Sequence, residues 1–219
     1  MIFFLLGGTS AFANSLGFED IVVGEFDLSD NFSVDVAEGS NNTVTFTLRN
    51  EGSDISFIGG VFWDFGNIED LLEVAPGYDP FDETNSSVGV DFSWKKNQDA
   101  KNLPQGNNLP DPFSTNYSAF AKNGNKGIDV GEYATFVFSI VGGGFSDVLA
   151  ALQSGEVRTA IHVQGVEGDY DEDSDSYLAA VTPVPEPATM LLLGTGLIGI
   201  AGLSRKKLLK KMNNRNIPQ

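Results

Sequence analysis

The sequence predicts an all-β domain, an antiparallel β-sandwich of immunoglobulin-like or jelly-roll type, with one short crossover helix and a single C-terminal transmembrane helix. Three observations predict this fold class. Apolar and polar residues alternate in several separate segments, as they do in strands with one dry and one wet face. Turn-rich sequences such as Glu51-Gly52-Ser53 divide these segments. One uninterrupted apolar run, residues 188–203, follows the last of them.

Six segments of the chain predict strands. They are residues 32–36, 44–48, 55–65, 88–94, 136–140 and 157–163. Gly59 and Gly60 interrupt the third segment, where we expect a bulge or a bend. One-faced antiparallel strands in this number indicate two packed layers of sheet.

A short helix is predicted between the last two strands. Ser146 is placed to cap it and Gly155 to end it. The residues between them form one apolar stripe, which consists of Val148, Leu149 and Leu152. We expect this helix to cross from one strand to the next at one end of the sandwich.

Two segments without periodicity predict loops. Residues 97–116 are rich in Pro and Asn, and we expect a long surface loop there. Residues 165–175 are acidic and are also predicted to form a loop.

The charge of the chain is unevenly distributed. All 30 acidic residues lie at or before Glu186, whereas 6 of the 13 Lys and Arg residues lie at or after Arg205. With 7 basic and 30 acidic residues, the chain up to Pro187 has a formal net charge of −23. Such a surface repels nucleic acid, which is therefore excluded as a partner. It suits an exported protein that meets divalent cations or neutral glycans.

The absence of cysteine and the size of the chain limit how the domain is stabilised. No disulfide framework and no thiolate metal site can form. Once both chain ends are assigned to signals, about 170 residues remain, enough for one domain with a substantial hydrophobic core.

The first 13 residues predict a secretory signal peptide. Ile2-Phe3-Phe4-Leu5-Leu6 forms an apolar core, and Ala11-Phe12-Ala13 fits a small-residue cleavage site before Asn14. No Lys or Arg precedes Arg49, so the usual positive start is missing and we expect the natural chain to begin further upstream. The alternative is a buried N-terminal strand.

The C-terminal segment has three parts in a fixed order. Pro185, Glu186 and Pro187 come first and hold the chain extended. The 16-residue apolar run 188–203 follows, and as a helix it would span about 24 Å at ~1.5 Å per residue, against a hydrocarbon core of about 30 Å. The last part is basic and contains Arg205, Lys206 and Lys207, which are predicted to stop membrane transfer.

These residues resemble the PEP-CTERM sorting domain. The resemblance covers Val184-Pro185-Glu186-Pro187-Ala188-Thr189, the apolar run and Ser204-Arg205-Lys206-Lys207, about the last 30 residues. It implies an exported protein of a Gram-negative bacterium whose tail is recognised and processed by a membrane-embedded exosortase, often in species that make exopolysaccharide. The alternative is an ordinary C-terminal membrane anchor, but the short span favours transient residence in the membrane.

Together these features predict four regions. A signal peptide covers residues 1–13, and an acidic β-sandwich ectodomain covers residues 14–182. The sorting signal covers residues 183–211, and a disordered tail covers residues 212–219.

His162 is the only histidine and hence the only candidate base for a nucleophile triad. By alternation it shares a face with Arg158, Ala160 and Gln164, and we expect a solvated position there. No Gly-x-Ser-x-Gly sequence exists to present a serine. We therefore predict no enzymatic activity, no catalytic residue and no cofactor.

Residues 169–175, Asp-Tyr-Asp-Glu-Asp-Ser-Asp, carry oxygen ligands at alternate positions, as calcium prefers. The EF-hand pattern fails, because the sixth position is Ser174 and the twelfth is Ala180. A solvated acidic loop is the favoured interpretation and weak calcium binding the alternative, so no metal site is predicted.

Three functions remain open at this point. The favoured one is an exported envelope or extracellular-matrix protein with a non-catalytic structural or interaction role linked to exopolysaccharide. The second is a carbohydrate-binding module in which Trp63, Trp94 or a tyrosine stacks on a sugar ring, with Trp94 the more buried of the two tryptophans. The third is a secreted hydrolase that uses His162. The expected partners are an exosortase, the membrane and a polysaccharide.

Overall fold

The computed structural model describes residues 14–22, 27–53, 56–66, 68, 70–74, 78–96, 99–123, 126–165 and 174–180. Contacts along the chain divide it after Thr182, and all of these residues lie before that point.

Ten antiparallel strands make up one sheet in the described part of the chain. They are β1 (Asn14–Asp20), β2 (Phe32–Gly39), β3 (Thr43–Asn50), β4 (Phe57–Asp64), β5 (Leu72–Glu73), β6 (Phe92–Lys96), β7 (Tyr117–Ala121), β8 (Tyr133–Ile140), β9 (Arg158–Gln164) and β10 (Ser174–Ala180). Their order across the sheet is β5-β8-β3-β2-β1-β10-β9-β4-β7-β6.

The sheet curls so that its two halves face each other. β5, β8, β3 and β2 form one half, β9, β4, β7 and β6 form the other, and β1 and β10 join them. Aromatic rings from both halves meet in the core: the Trp63 ring of β4 lies 4.9 Å from the Phe136 ring of β8 and 6.4 Å from the Phe46 ring of β3. The antiparallel all-β prediction is confirmed. The sandwich type is not, since β1 pairs with both β2 and β10 and makes the sheet continuous.

Most of the predicted strands are present. β2, β3, β8 and β9 match their alternating sequences, and the apolar faces of these strands are buried. β4 contains the predicted irregularity, because its register with β9 shifts between Ile58 and Gly60. The segment 88–94 is strand only from Phe92 onward: Val88 is fully exposed, and Gly89 has a φ of +104°, which ends the alternation.

Four strands were not predicted, namely β1, β5, β7 and β10. β7 reads Tyr-Ser-Ala-Phe-Ala and its first three residues are all buried, so no wet face marks it in the sequence. β10 begins at Ser174, inside the segment predicted as an acidic loop. The prediction of loop is therefore wrong for Ser174 and Asp175, and residues 166–173 lie outside the described residues.

The crossover helix is confirmed as α1 (Phe145–Ser154), between β8 in one half of the sheet and β9 in the other. Its predicted cap is wrong. Gly144 occupies the N-cap position, and its backbone N–H donates to Oδ2 of Asp147 at 2.8 Å. Ser146 lies one residue inside the helix instead. Gly155 ends it with a φ of 77°, as predicted.

Residues 99–116 form a covering loop over the outer face of the second half of the sheet. Leu103 and Phe113 of this loop pack against Phe62 of β4 and Ala160 of β9, in a small apolar cluster outside the main core. The segment is mostly loop, and it contains a helical turn at Gly106–Asn108. It lies on the surface as predicted, but it also buries a face of the sheet that the sequence left open to solvent.

Candidate functional site

His162 lies on the sheet face that carries the covering loop, and its side chain is partly buried. It shares its face of β9 with Arg158, Ala160 and Gln164, as predicted, and it is less solvated than expected because the loop packs over part of this face. Nδ1 of His162 lies 3.1 Å from Oγ of Ser176 on the neighbouring strand β10. Burial lowers the pKa of His162, since the charged imidazolium would lose its hydration.

Ser176 and Asp175 bring serine, histidine and carboxylate side chains close together, yet not in the arrangement of a nucleophile triad. Ser176 is 0 % exposed, so its hydroxyl cannot reach a substrate carbonyl in this conformation. The Asp175 carboxylate accepts from the Ser176 backbone N–H at 2.8 Å instead of orienting the imidazole. Burial raises the pKa of Asp175. The prediction of no enzymatic activity stays a prediction.

Gln105 connects the covering loop to this polar group. Its Oε1 accepts a hydrogen bond from the backbone N–H of Ser176 at 3.2 Å. Hydrogen bonds through Gln105, His162 and Ser176 thus link the loop, β9 and β10, and they hold the loop against the sheet.

Arg158 and Asp64 fasten the other end of the covering loop. Arg158 pairs with the Asp64 carboxylate, and its guanidinium donates to the backbone carbonyls of Asp111 at 2.8 Å and Pro112 at 2.9 Å. The same Asp64 oxygen that faces Arg158, Oδ2, also accepts from the Ser114 backbone N–H of the loop at 2.8 Å. This pair was not predicted, although Arg158 is one of only seven basic residues before Pro187.

The calcium hypothesis concerns residues that lie mostly outside the described part of the chain. Residues 169–173 are not described, while Ser174 and Asp175 begin β10. In the described residues no group of three or more His, Cys, Asp or Glu side chains is placed to hold a metal ion. Weak calcium binding by the acidic segment stays a prediction.

The two tryptophans have the opposite burial from the one predicted. Trp63 is 1 % exposed and lies at the centre of the core. Trp94 is only partly buried, and its ring stacks on Tyr117 with the ring centroids 6.3 Å apart. Trp63 therefore cannot stack on a sugar, whereas Trp94 retains some exposed surface.

An acidic cleft lies between α1 and the segment before β5. It has a volume of about 580 Å³ and is lined by the carboxylates of Asp70, Asp147 and Glu156, among others. Two of these already have roles within the fold: Asp147 caps α1, and Glu156 accepts from the Ser154 hydroxyl at 3.1 Å. The cleft therefore has few polar groups left to bind a ligand.

A second groove lies on the outer face of the other half of the sheet, and we call it the Tyr78 groove. Its volume is about 390 Å³, and it is lined by Asn41, Thr43, Val74, Tyr78, Asp79, Val137 and Ser139. Tyr78 is 72 % exposed. This groove was not predicted, although an aromatic residue within Pro76-Gly77-Tyr78-Asp79-Pro80, a sequence typical of turns, indicates an exposed ring.

The predicted sorting residues all lie outside the described part of the chain. They are Pro185, Glu186, Pro187, Arg205, Lys206 and Lys207. No helix among the described residues is both long and apolar enough to cross a membrane, and the predicted transmembrane run 188–203 is not among them.

Comparison with known protein families decides the identity of this segment. Residues 183–206 match the PEP-CTERM protein-sorting motif. The chain carries a PEP-CTERM sorting signal. The match includes the predicted motif residues Pro185, Glu186 and Pro187 together with Arg205 and Lys206, while Lys207 follows directly after it.

The PEP-CTERM signal identifies the chain as an exported protein that an exosortase sorts. It passes the membrane and reaches the cell envelope or surface, as predicted from the resemblance. No curated protein matches the chain. No solved structure matches it either.

Proposed function

We propose that this protein acts in the cell envelope or extracellular matrix as a non-catalytic structural or interaction protein linked to exopolysaccharide. The observation that carries the proposal is the PEP-CTERM match at residues 183–206. The described residues, which all precede this match, form one acidic β-domain. Cleavage after Ala13 removes a signal peptide. The run 188–203 then resides in the membrane only until the exosortase has processed the tail.

The ectodomain supports a binding role better than a catalytic one. The single histidine is partly buried and lies 3.1 Å from the hydroxyl of a fully buried serine, so the serine that a hydrolase would need does not face solvent in the described structure. The exposed polar features are a groove beside Tyr78 and an acidic surface. A protein of this kind presents a surface to other matrix components.

Cell fractionation of the native host tests this proposal. Wild type is expected in the outer envelope or the extracellular fraction, and Glu186→Gln is expected to accumulate in the inner membrane, because the exosortase no longer recognises the motif. Glu156→Gln is the matched control, since it makes the same change on the ectodomain, and it should be sorted like wild type. A host strain that lacks exopolysaccharide should release the wild-type protein from the matrix. The same distribution for all three proteins in both strains would contradict the proposal.

Carbohydrate binding by the ectodomain is the second candidate function. The specific observation that favours it is the Tyr78 groove, where an exposed aromatic ring adjoins hydroxyl and amide groups.

A further inference from the structure

We propose that the Tyr78 groove binds a neutral saccharide chain. This inference rests on the proposed function, because it assumes that the ectodomain meets a matrix polymer. It names the residues and the class of ligand through which the two would make contact.

Tyr78 is unusual among the apolar side chains of this domain. The large apolar side chains that are exposed in the described residues are Val22, Val88, Val130, Val141 and Tyr78. Tyr78 is thus the single aromatic member of that group, whereas rings such as Trp63, Phe46 and Tyr177 are fully buried. An exposed aromatic ring beside a concave polar surface is typical of a binding site.

The groove lies on the half of the sheet that the covering loop leaves open. Thr43 of β3 and Ser139 of β8 are direct register partners, so their side chains stand side by side on the same face. The core lies on the opposite face, because the neighbouring residues Val44 and Phe138 are buried. The floor of the groove therefore carries two hydroxyl groups. That of Thr43 donates to the Ser40 carbonyl at 2.8 Å and offers a ligand its oxygen as an acceptor, while that of Ser139 has no such bond to a described residue.

Asn41 and Asp79 supply the remaining polar groups of the groove. Asn41 has a φ of +57° in the turn between β2 and β3. Oδ1 of Asp79 accepts from the Phe81 backbone N–H at 3.0 Å, which fixes the carboxylate next to Tyr78. Asn41 and Ser139 make no side-chain hydrogen bond to other described residues, so their polar atoms are available to a ligand.

These groups match the chemistry of a sugar ring. A pyranose has an apolar face of C–H groups that packs on an aromatic ring, and hydroxyl groups around its edge that bond to amide, hydroxyl and carboxylate oxygens. Val74 and Val137 add an apolar part to the groove. The volume of about 390 Å³ lies within the range of small-molecule sites.

The charge of the domain selects a neutral saccharide over an anionic one. The chain up to Pro187 has a formal net charge of −23, and Asp79 stands in the groove itself. A uronate or sulfated polymer would be repelled by both. A neutral chain of hexoses or pentoses meets no such penalty.

Isothermal titration of the full chain tests the proposal. The protein is purified in a polyoxyethylene detergent, because a detergent with a sugar head group would itself compete for the groove. The probes are cellohexaose, laminarihexaose, mannohexaose and xylohexaose, with trigalacturonate as the anionic probe. We expect heat of binding with at least one neutral hexasaccharide and none with trigalacturonate.

Four variants locate the binding. Tyr78→Ala is expected to raise the Kd at least about tenfold, whereas Tyr78→Phe keeps the ring and stays within about twofold of wild type. Asn41→Gly removes the amide but tolerates the positive φ, and it should raise the Kd about three- to tenfold. Val88→Ala truncates a fully exposed side chain that does not line the groove, and its Kd should equal that of wild type. Thermal melts confirm that each variant is folded.

The proposal is overturned if no neutral hexasaccharide gives heat, if Tyr78→Ala binds as tightly as wild type, or if trigalacturonate binds more tightly than the neutral probes. Fractionation of a host that carries Tyr78→Ala separates this result from the proposed function. Export and sorting depend on the C-terminal motif, so the variant reaches the same compartment as wild type whether or not the groove binds sugar.

Discussion

Arg158 of β9 forms a buried ion pair with Asp64 of β4, directly across two neighbouring strands. The two residues are register partners, and their side chains are 14 % and 1 % exposed. Asp64 Oδ2 accepts from the Ser114 backbone N–H, and Arg158 donates to the carbonyl of Pro112, so one ion pair fixes both the strands and the covering loop.

Removal of one partner of this pair should destabilise the fold strongly. Arg158→Met leaves the Asp64 carboxylate buried without its counter-charge, and breaking a buried pair in this way costs about 3–5 kcal/mol. We expect the free energy of unfolding, measured by urea denaturation, to fall by that amount. Hydrogen exchange should rise in residues 99–116 before it rises in the core.

Arg49 provides the matched control for this experiment. Its ion pair with Asp35 is 3.0 Å long, but the two side chains are 37 % and 29 % exposed. Exposed pairs contribute about 0–1 kcal/mol. A loss on Arg49→Met as large as that on Arg158→Met would show that burial of the pair does not explain the effect.

His162 should make the stability of the domain depend on pH. Its pKa in the folded state is lowered by burial, so the unfolded chain binds the proton more tightly. The folded state therefore loses stability as pH falls below about 6.5, the ordinary histidine value, toward the lowered pKa. His162→Gln removes this loss, and the stability difference between wild type and variant should change as pH drops from 7.5 to 5.5.

Asp175 has the opposite effect in a lower pH window. Its pKa is raised by burial, so the folded state binds the proton more tightly than the unfolded chain and gains stability as pH falls through the raised pKa toward the ordinary value of 3.8. Asp175→Asn should remove that gain while it leaves the slope of stability against pH between 7.5 and 6 unchanged.

For the His162 prediction, a stability curve of His162→Gln that runs parallel to wild type over the whole pH range would mean that His162 is not desolvated.

The two tryptophans should respond differently to substitution and to quenchers. Trp63 contacts the rings of Phe46, Phe136 and Phe138, and its truncation to Ala should cost about 3–5 kcal/mol. Trp94→Ala should cost clearly less, since Trp94 lies on the edge strand β6 and is only partly buried. In Trp63→Phe the remaining fluorescence of Trp94 should be quenched by iodide. In Trp94→Phe the fluorescence of Trp63 should resist quenching, and equal quenching of both would contradict this core.

How much of this fold the sequence predicted depends on how many faces of each strand are covered. β2 and β3 have one buried and one more open face, so their alternation is plain and both were predicted. In β4, Val61, Phe62 and Trp63 are all buried because the core covers one face and the covering loop the other. Alternation therefore could not show which face of β4 is buried, and the burial of Trp63 was not predicted.

The site around His162 was predicted in part for a related reason. Alternation correctly grouped His162 with Arg158, Ala160 and Gln164 on one face. It could not show that the distant segment 99–116 packs over that face, because Leu103 and Phe113 are isolated apolar residues in a sequence without periodicity. The residues in contact are about 50 positions apart in the chain, and a local sequence pattern does not show which distant segments meet.

The PEP-CTERM motif was predicted from its residues, and the family match at residues 183–206 confirms it. Its three parts are contiguous in the chain, so no tertiary contact is needed to recognise them. The Tyr78 groove is the opposite case, since its lining comes from β3, β8, the turn at Asn41 and the segment at Tyr78.

Intact-mass analysis of the mature protein, recovered from the envelope and from the medium, tests the central claim of export and sorting most directly. The account predicts a chain that begins at Asn14 and has lost its C-terminal part, including Arg205, Lys206 and Lys207. The Glu186→Gln protein should retain that part. A mature wild-type protein that still carries residues 205–219 would contradict processing by an exosortase.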